Sequence, residues 1–136
     1  METIRTRYLG DLRTEATHVQ SGNKIITDAP TDNNGKGEYF SPTDMVATAL
    51  GSCIFTIMGI KAREHGFSID GATSKTTKVM RNDPRRIQEV QIEFDFSGQT
   101  YSEEEKQILR ELTKASPVPR SVSEELIQTI SLKFGD

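Results

Sequence analysis

The chain has 136 residues, a usual length for one compact domain, with 34% apolar and 27% charged residues. Its 17 basic and 20 acidic residues leave a net charge of −3, which argues against a general nucleic-acid binder, and six Phe, three Tyr and no Trp make a poor stacking platform for single strands. The apolar share is low, but long patterned stretches exclude a disordered chain and point to a modest core that a second copy would complete.

No apolar segment of a secretory signal follows residues 1–5, so β structure is expected from the start. Residues 3–9 are rich in β-formers and end at the turn signal Gly10-Asp11. Residues 12–20 alternate loosely and end at Ser21-Gly22-Asn23. Residues 24–27 read as a short third strand, closed by Asp28-Ala29-Pro30. Residues 31–39, with two Asn, two Gly and Asp32, read as a loop.

Ser41-Pro42-Thr43-Asp44 is a helix start. Ser41 is the expected N-cap, Pro42 stands where its missing N–H costs nothing, and Asp44 can close a capping box. The helix should run to about residue 65, with Gly66 just beyond its end. Its middle is apolar nearly all round, which predicts burial on most faces and again calls for a partner subunit. The apolar run 45–60 spans 16 residues and contains Thr48, Gly51, Ser52, Thr56 and Gly59, so no membrane span is expected.

Two longer β segments follow, residues 67–80 and 86–96, around the turn Arg81-Asn82-Asp83-Pro84. In the second, Ile92, Phe94 and Phe96 face one way and Glu93 and Asp95 the other. Ser102 caps a second helix with an acidic first turn, Glu103-Glu104-Glu105. Ile108, Leu109 and Leu112 give it one apolar stripe, and Ser116-Pro117 stops it and opens a short further turn. Ile130, Leu132 and Phe134 mark a closing strand over residues 129–134. No repeat or linker divides the chain, so residues 1–136 are expected to form a single domain.

The single cysteine, Cys53, excludes an intrachain disulfide and suits a reducing, cytoplasmic compartment. Inside a buried helix it is either a small core residue or a nucleophilic thiol, and the second role needs something to lower its pKa. The helix dipole does little at mid-helix unless Gly51-Ser52 breaks the helix, so a cation from elsewhere is the expected activator. His18 and His65 lie too far apart in sequence to form a zinc set with Cys53, and His65 suits a helix C-terminus. No metal or cofactor site is expected. Asp44 and Cys53 are nine residues apart, on opposite faces of one helix and about 13 Å apart along its axis. A bridging residue or a second subunit would be needed for both to serve one site.

The run Ser41-Pro42-Thr43-Asp44-Met45-Val46-Ala47-Thr48-Ala49-Leu50-Gly51-Ser52-Cys53 resembles the segment that opens the central helix of OsmC/Ohr-like proteins. The likeness extends along the chain. It takes in the N-terminal meander with Ser21-Gly22 and Asp28-Ala29-Pro30, the two strands after His65-Gly66, and the acidic helix start at Ser102. It also includes Ala115-Ser116-Pro117-Val118, at the place of the family's Cys-Pro-Val.

The resemblance implies an α+β fold with antiparallel sheets around a long buried central helix, in an intertwined homodimer. It also implies a thiol peroxidase that reduces organic hydroperoxides and is recharged by thiols or dithiols. Cys53 matches the peroxidatic position, Arg13 the arginine that organises the thiolate, and Asp44 an acidic residue of the helix start. The spacing of the peroxide-active branch would place that acid at Thr43. Ser116 stands where the resolving cysteine belongs, and a hydroxyl cannot form the disulfide, so an external thiol would have to resolve an oxidised Cys53. The alternative is a non-catalytic homodimer that binds a small apolar ligand or serves as a structural stress protein.

Overall fold

Asp11 and Leu12 both adopt left-handed backbone, with φ of 53° and 63°, and this tight turn joins β1 (Ile4–Gly10) to β2 (Arg13–His18). The structure is a computed structural model that describes residues 1–135, with residue 114 described by its backbone alone. A second turn, in which the His18 N–H donates to the Asn23 carbonyl at 2.8 Å, returns the chain as β3 (Lys24–Asp28). The three strands form the expected antiparallel meander in the order β1-β2-β3. The chain divides into two compact units, Met1–Val46 and Ala47–Asp136. The first consists of this sheet, the loop that follows it and the opening residues of the next helix, and it leaves Ile4, Tyr8, Leu9 and Ile25 exposed.

Helix α1 runs over Pro42–Glu64. Its start is the expected capping box: the Ser41 N–H donates to Asp44 Oδ2 at 3.0 Å, and the Asp44 N–H donates to Ser41 Oγ at 3.1 Å. Its end is set by Gly66 at φ 76°, where the Phe67 and Gly66 amides cap the carbonyls of Ala62 and Arg63 at 2.9 and 3.3 Å. The helix runs unbroken through Gly51 and Ser52.

Burial of α1 differs from expectation. Ala47, Leu50, Gly51, Ile54, Met58 and Ala62 form one buried stripe, while Val46 and Ile60 are exposed. Within the second unit the stripe packs on the residues of one sheet and of the helices that follow it. By length and composition alone α1 is apolar enough to cross a membrane, with a mean hydropathy of 1.6 over 18 residues. Its buried stripe packs instead as the core helix of the second unit.

In that unit β4 (Thr73–Arg81), β5 (Arg86–Asp95) and β6 (Ile127–Lys133) form a sheet in the order β4-β5-β6. Two expectations need correction. Residues 67–72 are not strand: the Ala72 N–H turns back to the Ile69 carbonyl at 3.0 Å, while Phe67 and Ile69 pack against the core. The sheet is also not wholly antiparallel. β4 and β5 are antiparallel, but β6 runs parallel to β5. The chain between them contains two helices, and such a crossover is what brings a strand back in parallel.

Those helices are α2 (Glu103–Glu111), with a capping box between Ser102 and Glu105, and the short α3 (Pro117–Ser121). The alternation of β5 places Val90, Ile92 and Phe94 in the core against Leu50, Ile54 and Met58 of α1 and Leu109 of α2. Each large side chain buried there stabilises the fold by about 1.5–3 kcal/mol. Phe55 meets Phe94 edge-on at 4.7 Å, and Phe96 stacks on Phe134 at 5.4 Å.

Candidate active site

Cys53 sits in the middle of α1, one residue before the fully buried Ile54. It is half-buried, not sealed in the core. Because α1 continues through Gly51 and Ser52, α1 offers no fresh N-terminus of its own beside the sulfur.

Arg13 is the first residue of β2, and the β2–β3 register places it directly opposite Asp28, the last residue of β3. The guanidinium grips the carboxylate with two parallel bonds, Nε to Oδ1 at 2.7 Å and Nη2 to Oδ2 at 2.9 Å. Nη2 also donates to Glu38 Oε1 at 2.6 Å. The Tyr39 ring lies under the guanidinium, its centroid 4.8 Å from Cζ. The two carboxylates differ in setting: the Asp28 side chain is 1% exposed and that of Glu38 63%. The Arg13 hydrogen bonds hold the Asp28 carboxyl below its usual range, against the opposing pull of desolvation and with help from the Glu38 amide. Bonds to Asp28 first, and to Glu38 second, raise the Arg13 pKa.

The loop that delivers Glu38 and Tyr39 folds tightly on the end of β3. The Gly35 amide donates to the Pro30 carbonyl at 2.9 Å, and the Glu38 amide donates to Asp28 Oδ2 at 3.1 Å. A Cβ at Gly35 would fall 1.7 Å from the Ala29 carbonyl oxygen, so only glycine fits there.

Asp44 lies at the start of α1, where its carboxylate accepts from the Ser41 amide. The acids bonded to Arg13 are Asp28 and Glu38. Thr43, the other position considered for the acid, has its hydroxyl 3.1 Å from Ser41 Oγ at the same cap. Ser116 is fully buried at the N-cap of α3, and its Oγ has no hydrogen-bond partner among the described residues. His18 Nδ1 lies 2.6 Å from Ser21 Oγ within its own turn. Among the described residues no group of three or more His, Cys, Asp or Glu is placed to hold a metal ion.

The sequence reading missed Asp28 and Glu38. The first could have been found, because the turn at residues 19–22 sets the β2–β3 register and counting back from it pairs residue 13 with residue 28. Nothing in the sequence marks Glu38, which reaches Arg13 through an irregular loop.

A family model described as OsmC-like protein matches residues 35–131, from this loop through β6. The chain belongs to the OsmC-like family. The match includes Glu38, Asp44, Cys53 and Ser116, while Arg13 and Asp28 precede it. Among solved structures, this OsmC-like chain is 48% identical to a Psychrobacter arcticus 273-4 protein named for an osmotic stress induced and detoxification response, with a TM-score of 0.93 over 97% of this chain and 96% of that one. The organic hydroperoxide resistance protein OsmC of Legionella pneumophila shares the fold at 12% identity, with a TM-score of 0.75 over 98% of both chains. An OsmC-like protein of Mycoplasma pneumoniae does so at 16% identity, with a TM-score of 0.80 over 98% of this chain and 96% of that one. No protein with a curated description matches the sequence.

Proposed function

We propose that this OsmC-like stress-response protein is a one-cysteine thiol peroxidase acting on organic hydroperoxides. The observation that carries the proposal is Cys53, half-buried and accessible at the peroxidatic place of the family's helix-start motif. The Cys53 thiolate attacks the outer peroxide oxygen and the O–O bond breaks. The sulfur leaves as sulfenic acid and the alkoxide takes a proton to give the alcohol. A small thiol then condenses with the sulfenic acid, releasing water and leaving a mixed disulfide. A second thiol, or the other arm of a dithiol, reduces that disulfide and restores the Cys53 thiol. Arg13 is the cation assigned to the thiolate and Asp44 the acid assigned to the motif, both by resemblance. No resolving cysteine is involved, since Ser116 holds that place.

A homodimer in a reducing, cytoplasmic compartment belongs to the same proposal, and two features support it. The exposed Val46 and Ile60 of α1 and the exposed apolar residues of the first sheet would gain cover from a second copy. External thiols would be abundant there.

The deciding experiment is stopped-flow oxidation of the protein by cumene hydroperoxide, with the sulfenic acid trapped and weighed. Oxidation at least a hundredfold faster than free cysteine, abolished in Cys53→Ser, supports the proposal. A rate like that of free cysteine removes it.

A second reading, a non-catalytic homodimer that binds a small apolar ligand, is favoured by one feature. A groove of about 490 Å³ lies beside α1, where Ile60, Phe67 and Ile69 form the apolar part of a lining shared with Thr56, Arg63, Ser68 and Asp70. Saturable binding of an apolar probe with an unreactive thiol would select it.

A further inference from the structure

A guanidinium offers two edges that a carboxylate can grip with parallel bonds. In Arg13 the Nε–Nη2 edge is filled by Asp28. The Nη1–Nη2 edge carries only the single bond to Glu38, and among the described residues Nη1 donates to no acceptor. The two acids also differ in how firmly they are held. Asp28 is buried and paired across the sheet, whereas the Glu38 side chain projects into water from a loop. An exposed ion pair is weakly held in water, so Glu38 is released readily while Asp28 keeps the guanidinium in place. The Tyr39 ring against Arg13 is itself 49% exposed, and Phe40 beside it is 55% exposed. Apolar surface thus flanks a half-used cationic edge.

We propose that Arg13 is a binding site for a small carboxylate with an apolar body, and that Glu38 is the chain's own competitor for it. An incoming carboxylate takes Nη1 and Nη2 in parallel, making two charge-assisted bonds where Glu38 makes one. Its apolar body lies along Tyr39. Asp28 is the positioning residue, because its bidentate grip fixes the direction of the free edge. The Glu38 amide stays on Asp28 Oδ2 when the side chain leaves, so the loop need not unfold to open the site. The peroxidase proposal assigns the same guanidinium to the Cys53 thiolate, but carboxylate binding is read without any oxidation of Cys53, so the two can fail separately.

The test is calorimetric titration of the full chain with sodium benzoate at fixed ionic strength, with benzyl alcohol as the uncharged control. Glu38→Gln is expected to bind benzoate about three- to fivefold more tightly than the parent, the size of an exposed latch removed. Arg13→Lys keeps a charge opposite Asp28 but loses the fork, and is expected to bind at least tenfold more weakly. Benzyl alcohol is expected not to bind. The proposal is overturned if Glu38→Gln does not tighten binding, if benzyl alcohol binds as well as benzoate, or if no protein binds benzoate at all. Should Arg13→Lys fail to fold, Glu38→Gln alone decides, since its change lies in solvent.

Discussion

Arg13 and Asp28 close the β2–β3 register as a directly opposed pair, and the guanidinium takes both oxygens of a carboxylate that is 1% exposed. A buried charge held this way ties the stability of the first unit to pH. The folded state lowers the Asp28 pKa below its unfolded value of about 4. Its contribution is therefore complete above that unfolded value and is lost as pH falls through the folded one. Asp28→Asn should be less stable than the parent at neutral pH, and the gap should narrow as the parent is acidified. Thermal melts of both proteins between pH 7 and pH 2 would check this. A gap that stays constant would mean that the pair carries no titratable stability.

Ser116 is a buried hydroxyl without a partner among the described residues, and an unsatisfied group of this kind costs about 1–3 kcal/mol against a satisfied or apolar replacement. Ser116→Ala is therefore expected to be more stable than the parent by about 1 kcal/mol or more in urea unfolding, contrary to the usual effect of a core substitution. A loss of stability would mean that the hydroxyl has a partner after all.

Much of this fold was legible because its signals are local. Ser41 and Asp44 sit at capping-box spacing, Gly66 follows the last turn of α1, and Ile92, Phe94 and Phe96 alternate. Residues 67–72 misled because Phe67 and Ile69 alternate like a strand, yet the turn after Gly66 uses their backbone locally. The direction of β6 was hidden for a different reason: strand residues do not record which way their partner runs. The candidate site was half legible. Cys53 and Arg13 stand out by type and motif, whereas the acids on Arg13 depend on register for Asp28 and on the path of an irregular loop for Glu38.

Ile54 and Ile60 lie on different faces of α1, one fully buried and the other 50% exposed. Ile54→Ala should cost about 2–5 kcal/mol whatever the state of association, since the cavity opens inside the core. Ile60→Asp touches nothing in that core. If a second copy covers this face, it should shift sedimentation equilibrium toward the 15.2 kDa species. An unchanged mass would show that the homodimer, if formed, uses another surface.

Asp44 has two candidate roles that a single substitution separates. As the reciprocal member of the capping box it satisfies the Ser41 amide, and its charge lies in the first turn of α1. Asp44→Asn should therefore lower stability by about 0.5–1 kcal/mol through the cap and the dipole. The peroxidase proposal expects in addition a slower oxidation of Cys53 by cumene hydroperoxide, measured well below the melting temperature so that stability does not enter. Loss of stability with an unchanged oxidation rate would assign Asp44 to the helix start alone. The acids that govern Arg13 would then be Asp28 and Glu38, the two that bond to it.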